Sequence, residues 1–195
     1  MYGMDVAHTL FYTFWFIWIV LAIRPRERWK WWGENVIVII AVAVAVWSYY
    51  SWRLTDLSYG IIFVFLVLHL LAAHYSYEKH PVGNWIRGLF GWKRNHYDRV
   101  VHFSYGFFLT IAVCDALRGP FPHPGFGRYF AAFSIVVAFG SLYEIGEFFA
   151  AIMLGKRKGA SFLGSQGDAG DAQKDMLMQT IGSLLGVWVA ISLGF

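Results

Sequence analysis

Six apolar runs alternate with short polar connectors along the chain. The first, His8 to Ile23, is rich in Phe and Trp and stops at Arg24-Pro25, where proline disfavours helix at the residue before it. The second covers Val36 to Tyr50, the third Tyr59 to Tyr77, the fourth Tyr97 to Leu117, the fifth Tyr129 to Leu154 and the sixth Lys174 to the C-terminus. Each predicts a helix, because a lone apolar strand leaves its backbone unsatisfied in lipid. The second run is short for a full span. The first is expected to stay in place rather than act as a cleaved leader, since no basic region precedes it and no small-residue cleavage site follows it.

The connectors are informative in their own right. RPRERWKWWGEN reads as an interfacial loop, with Trp29, Trp31 and Trp32 suited to the headgroup region. After the third run, Trp85, Ile86, Leu89, Phe90 and Trp92 interleave with Arg87, Lys93 and Arg94, as in a segment lying on the membrane surface. The loop RGPFPHPGFGR carries three prolines and separates the fourth helix from the fifth.

Composition fixes the class. The chain is 58% hydrophobic and only 14% charged, against roughly a quarter charged in globular proteins. The expected fold is an all-α integral membrane protein, a bundle of about six transmembrane helices forming one domain over residues 1–195. Cys114 is the single cysteine, so neither a disulfide framework nor a Cys-based zinc site is available.

The net charge of +4 is unevenly placed. The first, third and fifth connectors hold Arg24, Arg26, Arg28 and Lys30; Lys79, Arg87, Lys93, Arg94 and Arg99; and Lys156, Arg157, Lys158 and Lys174. The opposite side holds Arg53, Arg118 and Arg128. Cytoplasmic loops attract Lys and Arg, so the odd connectors are assigned to the cytoplasm and both termini outward. The basic excess is thus a topology signal and not a nucleic-acid footprint.

With that orientation, acids and histidines converge on the cytoplasmic leaflet. Asp98, His102 and Tyr105 share a face of the fourth helix at i, i+4, i+7, and Glu144 and Glu147 share one of the fifth at i, i+3. His69, His74 and His80 lie at or beyond the end of the third helix. The stretch GSQGDAGDAQKDMLMQ, Gly164 to Gln179, brings Asp168, Asp171 and Asp175 to the start of the sixth. Asp171, Asp175, Gln179, Gly182, Gly186 and Ala190 form one stripe, and Gly182-x-x-x-Gly186 allows close helix approach, so the stripe faces the bundle.

Inward carboxylates at short range require a cation, a basic residue or protons. A mixed set of carboxylates and imidazole suits divalent Mn, Fe or Zn. Other roles compete: Asp171 is well placed as an N-cap, Asp168 as a solvated turn residue, and Arg99 as an ion-pair partner of Glu144 or Glu147. His69 reads as a packing residue, His74 falls off its face, and His123 lies on the outward side. The EF-hand, P-loop, H-E-x-x-H and di-iron Glu-x-x-His patterns are absent from the sequence.

Three blocks, YDRVVHF (Tyr97 to Phe103), SLYEIGEF (Ser141 to Phe148) and FLGSQGDAGDAQKDMLMQTIGSLLG (Phe162 to Gly186), resemble in order the YjdF-like family of bacterial inner-membrane proteins. The D-x-x-x-H, E-x-x-E, D-x-x-x-D series also resembles the VanZ-like membrane proteins, linked with glycopeptide resistance, which usually show Glu-x-x-Gln where Glu144 and Glu147 stand. The resemblance implies an inner-membrane location and marks Asp98, His102, Glu144, Glu147, Asp171 and Asp175 as the motif polar set. It implies no settled reaction.

The leading expectation is metal-assisted hydrolysis or group transfer on a lipid-like substrate. His102, Glu144, Glu147, Asp171 and Asp175 are the candidate metal ligands, and Asp98 is the candidate base or the group that orients His102. Two other classes remain open: a carrier or proton-coupled permeation protein, and a structural or regulatory subunit bound to a membrane-protein partner.

Overall fold

The computed structural model describes residues 5–163 and 165–195; Gly164, and the side chains of Lys156 and Arg157 from the third basic connector, lie outside the described residues. Among the described residues, seven α-helices follow one another: α1 (Val6–Ala22), α2 (Arg28–Ser51), α3 (Asp56–Tyr75), α4 (Pro81–Phe90), α5 (Tyr97–Ala116), α6 (Phe126–Leu163) and α7 (Asp171–Ser192), with a 3-10 turn, Tyr77–Lys79, before α4. No strand occurs among the described residues. The protein is a helical membrane protein. Among the described residues, four helices are long and apolar enough to cross a bilayer: α2, α3, α6 as far as Gly155, and α7. The sequence predicts six spans; besides those four, α1 is a shorter apolar helix of 17 residues, and α5 is a 20-residue helix that buries Asp98, Arg99, His102 and Asp115.

Local chemistry explains the boundaries. The Asp5 side chain accepts from the His8 amide at 3.0 Å and caps α1, and Thr55 does the same for α3 through the Ser58 amide. Pro81 opens α4 and left-handed Gly91 closes it. α6 is broken at Gly155, which has φ 74° and ψ 171°, one residue after the predicted end of the fifth helix.

Two boundaries differ from expectation. α2 begins eight residues early, so most of RPRERWKWWGEN is helix and not an interfacial loop. Lys30, Trp31, Glu34 and Asn35 recur one turn apart and bury a shared face, with the Trp18 indole donating to Asn35 at 2.6 Å. At 24 residues, α2 is about 36 Å long and no longer short for a span. α7 begins at Asp171, so its N-cap is Gly170 and Asp171 is the first helical residue, not the cap.

The bundle has two halves joined at α3 and α5. Phe14, Val38, Val42, Leu66 and Leu70 form the core of α1, α2 and α3. Ile111, Cys114, Ala132 and Ala190 form that of α5, α6 and α7. α5 and α7 approach most closely, because a Cβ at Gly106 would collide with the Gln179 carbonyl, and one at Gly182 with the Phe103 carbonyl. The small-residue stripe does face the bundle, as its spacing predicts.

The connectors sort by end. Arg26 N donates to the His74 carbonyl, Lys79 pairs with Glu27 at 3.0 Å, and Arg94 reaches Asp168 at 3.2 Å, which ties all three basic connectors together. At the other end Asp5 accepts from Tyr49 at 2.7 Å and pairs with Arg53 at 2.9 Å, while Tyr129 donates to the Phe195 carbonyl at 2.8 Å. His80 is buried at the basic end, its ring stacked on Tyr97 at 3.5 Å, and burial pushes its pKa down to about 4. It is therefore neutral at neutral pH.

Candidate functional site

The basic end concentrates the buried polar side chains, in two adjoining groups. In the first, the opening turns of α5 supply Asp98, Arg99 and His102, α6 supplies Glu144, and the first turn of α7 supplies Asp171 and Asp175. His102 Nε2 faces three carboxylates: Glu144 Oε1 at 3.3 Å, Asp98 Oδ1 at 3.5 Å and Asp175 Oδ1 at 4.0 Å. One donor or acceptor atom of Asp98, His102 and Asp175 each falls within 4.8 Å of the others.

One imidazole nitrogen carries at most one proton and cannot donate to three oxygens at once. Accordingly, Glu144 Oε1 is buried without a hydrogen-bond partner, whereas Asp175 Oδ1 is met by the Arg99 guanidinium as an ion pair. Buried carboxylate oxygens left in that state are costly and call for an explanation. One ligand atom each from Asp98, His102 and Asp175 lies close enough to the others that the three could share one cation.

Arg99 does not neutralise a glutamate. Its guanidinium spans Asp171, at 2.5 Å, and Asp175, with Asp168 at 3.6 Å, because all three carboxylates stand at the α7 entrance directly beside the first turn of α5. Arg94 adds a second contact to Asp171 at 2.6 Å. Asp171 is thus held by two guanidiniums. Asp168, the expected turn residue, also pairs with Lys174 and accepts from the Gly170 amide, which hold its carboxyl below the usual range.

The second group centres on Glu34, a residue that sequence reasoning passed over. Its carboxylate, 1% exposed, accepts from Tyr143 at 2.9 Å and Tyr77 at 3.4 Å through Oε2, with His69 Nε2 at 3.6 Å. Its other oxygen, Oε1, has no hydrogen-bond partner. His69 Nδ1 meets the Tyr77 hydroxyl at 3.0 Å, so it is a satisfied buried residue as expected. Glu147 belongs with this group, within electrostatic range of Glu34, Glu144 and Lys30. The available signal was the spacing of four between Lys30 and Glu34, hidden by reading the segment as a loop. Tyr143 connects the groups, its ring 6.2 Å from that of His102 and its hydroxyl on Glu34.

Of the six motif residues, the fold therefore gathers Asp98, His102, Glu144 and Asp175, draws Asp171 into the arginine pair, and leaves Glu147 within electrostatic range of both Glu34 and the His102 group. His74 caps the Leu21 carbonyl at 2.8 Å and His123 is exposed in the turn before α6.

Comparison with known proteins agrees with this architecture. Residues 6–194 match the family described as Predicted membrane protein (DUF2238). The chain is also 35% identical over 136 residues to the inner membrane protein YjdF of Escherichia coli (strain K12), covering 67% of this chain and 63% of that relative. It thus spans less than two thirds of the relative's length. No solved structure matches the chain. With residues 6–194 matched and every span helical, the chain belongs to this family of predicted membrane proteins and is a multi-pass protein of the inner membrane.

Proposed function

We propose that the protein is a membrane-embedded enzyme that binds one divalent transition metal and performs metal-assisted hydrolysis or group transfer on a lipid-like substrate. The supporting observation is the arrangement of carboxylates around His102 Nε2, at 3.3, 3.5 and 4.0 Å. Ligands about 2.1 Å from a tetrahedral metal lie about 3.4 Å from one another, close to the His102–Glu144 and His102–Asp98 spacings, while Asp175 Oδ1 would have to share itself between the metal and Arg99. Asp98, His102, Glu144 and Asp175 would hold it. A bound metal would supply a nucleophilic water of lowered pKa. A mixed oxygen and nitrogen donor set favours Mn, Fe or Zn.

The remaining residues have separable tasks. Arg99 and Arg94 fix the α7 entrance, and so the position of Asp175, through their contacts with Asp171 and Asp175. Glu147 is the nearest further carboxylate that can accept a proton on the α6 face shared with Glu144. Deeper in the bundle, the packed glycines of α5 and α7 and the 2.6 Å hydrogen bond between Thr110 and Ser183 close the seam beyond Gln179. That favours chemistry at one leaflet over a carrier's polar route. The positive-inside bias of the connectors assigns that leaflet to the cytoplasm.

Metal binding to the folded state raises its stability by mass action, by roughly 2.7 kcal/mol at a concentration of 100 Kd. Manganese or zinc titrated into metal-stripped protein is therefore expected to raise the melting temperature, and His102→Gln to abolish the increase. An equal increase in both proteins would oppose the assignment.

A further inference from the structure

The two halves of the bundle leave a seam between α2 and α6. These helices are not packed backbone to backbone and meet through side chains. At the basic end Phe162 closes the seam, its ring 6.0 Å from that of Trp29 and against Gly33, where an added Cβ would lie 3.3 Å from it. One layer in, the seam is bridged by the 2.9 Å hydrogen bond from Tyr143 to Glu34. Outside, both helices present lipid-facing side chains, Ile37 and Ile40 on α2 and Ile145 and Phe149 on α6, each about half exposed.

Behind that bridge the chemistry is acidic. Glu34 is almost wholly enclosed and its Oε1 has no hydrogen-bond partner. The phenols of Tyr77 and Tyr143 flank its other oxygen. Glu147 and Glu144 continue the acidic wall along α6, with Lys30, itself 3.5 Å from Glu78, a basic side chain within range of Glu147. A head carrying only a phosphate meets repulsion here. An ammonium meets a carboxylate oxygen in need of a donor and two aromatic rings.

We propose that the α2–α6 seam is a lateral entrance from the bilayer for an ammonium-headed lipid, whose head Glu34 receives between Tyr77 and Tyr143. The Tyr143–Glu34 hydrogen bond and Phe162 are the two barriers that part on entry. This rests on the reading of the site as acting on a lipid-like substrate and names the class of that substrate. The acyl chains stay among the apolar residues on the outer faces of α2 and α6, while the head stays at Glu34, which Tyr143 joins to the group around His102.

The test is photo-crosslinking of the full-length purified protein with phosphatidylethanolamine carrying a diazirine in its acyl chain, compared with phosphatidylglycerol of the same chains. Phosphatidylethanolamine is expected to label α2 and α6 peptides flanking Gly33 and Tyr143 roughly tenfold more strongly, the scale of a desolvated ammonium contact. Glu34→Gln is expected to erase that preference. Gly33→Leu, which fills the seam beside Phe162 and keeps the carboxylate, is expected to reduce labelling by both lipids at those peptides, and it decides the matter if Glu34→Gln does not fold. Equal labelling by the two lipids, a preference that survives Glu34→Gln, or seam labelling unaffected by Gly33→Leu would overturn the proposal. Metal content, measured on the same samples, reports the Asp98–His102–Glu144–Asp175 group separately, so loss of one reading is distinguishable from loss of the other.

Discussion

Arg99→Ala is expected to destabilise the protein by about 3–5 kcal/mol, the usual result of leaving buried charges without their partner. Arg99 is 8% exposed and Asp175 3% exposed, so water replaces little of what is lost. Removing the guanidinium leaves Asp175 uncompensated beside Asp98 and Glu144, and leaves Asp171 with Arg94 alone. The measurement is unfolding by SDS in mixed micelles, followed by circular dichroism. Adding Asp171→Asn and Asp175→Asn to Arg99→Ala removes the stranded charges and is expected to recover much of the loss. A single variant as stable as wild type would mean that the arginine pair does not hold the α7 entrance.

The second large effect comes from a single methyl group. Gly106→Ala places a Cβ against the Gln179 backbone carbonyl and the Ser183 amide, neither of which can move without separating α5 from α7. Overpacking of this kind typically costs about 1–3 kcal/mol, and a clash with backbone belongs at the upper end. Gly60→Ala, on α3 with nothing within 4 Å of the added atom, is the matched control. It is expected to be neutral or to stabilise by up to about 1 kcal/mol, because alanine is the better helix former. Size-exclusion profiles and the same SDS titration compare the two, and equal behaviour would contradict the close α5–α7 seam.

The runs that became α1, α3, α5, α6 and α7 were legible because each carries a long apolar stretch bounded by a proline, a glycine or a cluster of charges. Only the body of α2 was legible; its start was not, because its first two turns carry Lys30, Glu34 and Asn35, which read as surface until the partners that bury them are known. Those partners, Trp18, His69, Tyr77 and Tyr143, come from three other segments of the chain. No local pattern announces them. The same limit applied to Arg99: its position one turn before His102 was evident, but the choice between Glu144 and the α7 aspartates depends on how far α7 leans onto α5, which Gly106, Gly182 and Gly186 determine. The convergence of Asp98, His102, Glu144 and Asp175 was readable, since helical spacing and connector charge fix both face and depth.

Asp171 shows how a residue type can suit several roles. An aspartate before a helix reads equally as a cap or a ligand, and it became neither cap nor neighbour of His102, because Arg94 and Arg99 stand closer. Glu34 shows the converse. A carboxylate assigned to an interfacial loop turned out to be one of the most enclosed charged groups in the protein, and it opens the second half of the site.

The central claim is that the carboxylates around His102 hold a metal, and the most direct test is metal content by inductively coupled plasma mass spectrometry on detergent-purified protein. Wild type is expected to carry about one equivalent of Mn, Fe or Zn, and the Asp175→Asn, Glu144→Gln double variant to have lost it while remaining folded. Well-folded wild type that contains no transition metal, and takes none up on soaking, would contradict the account.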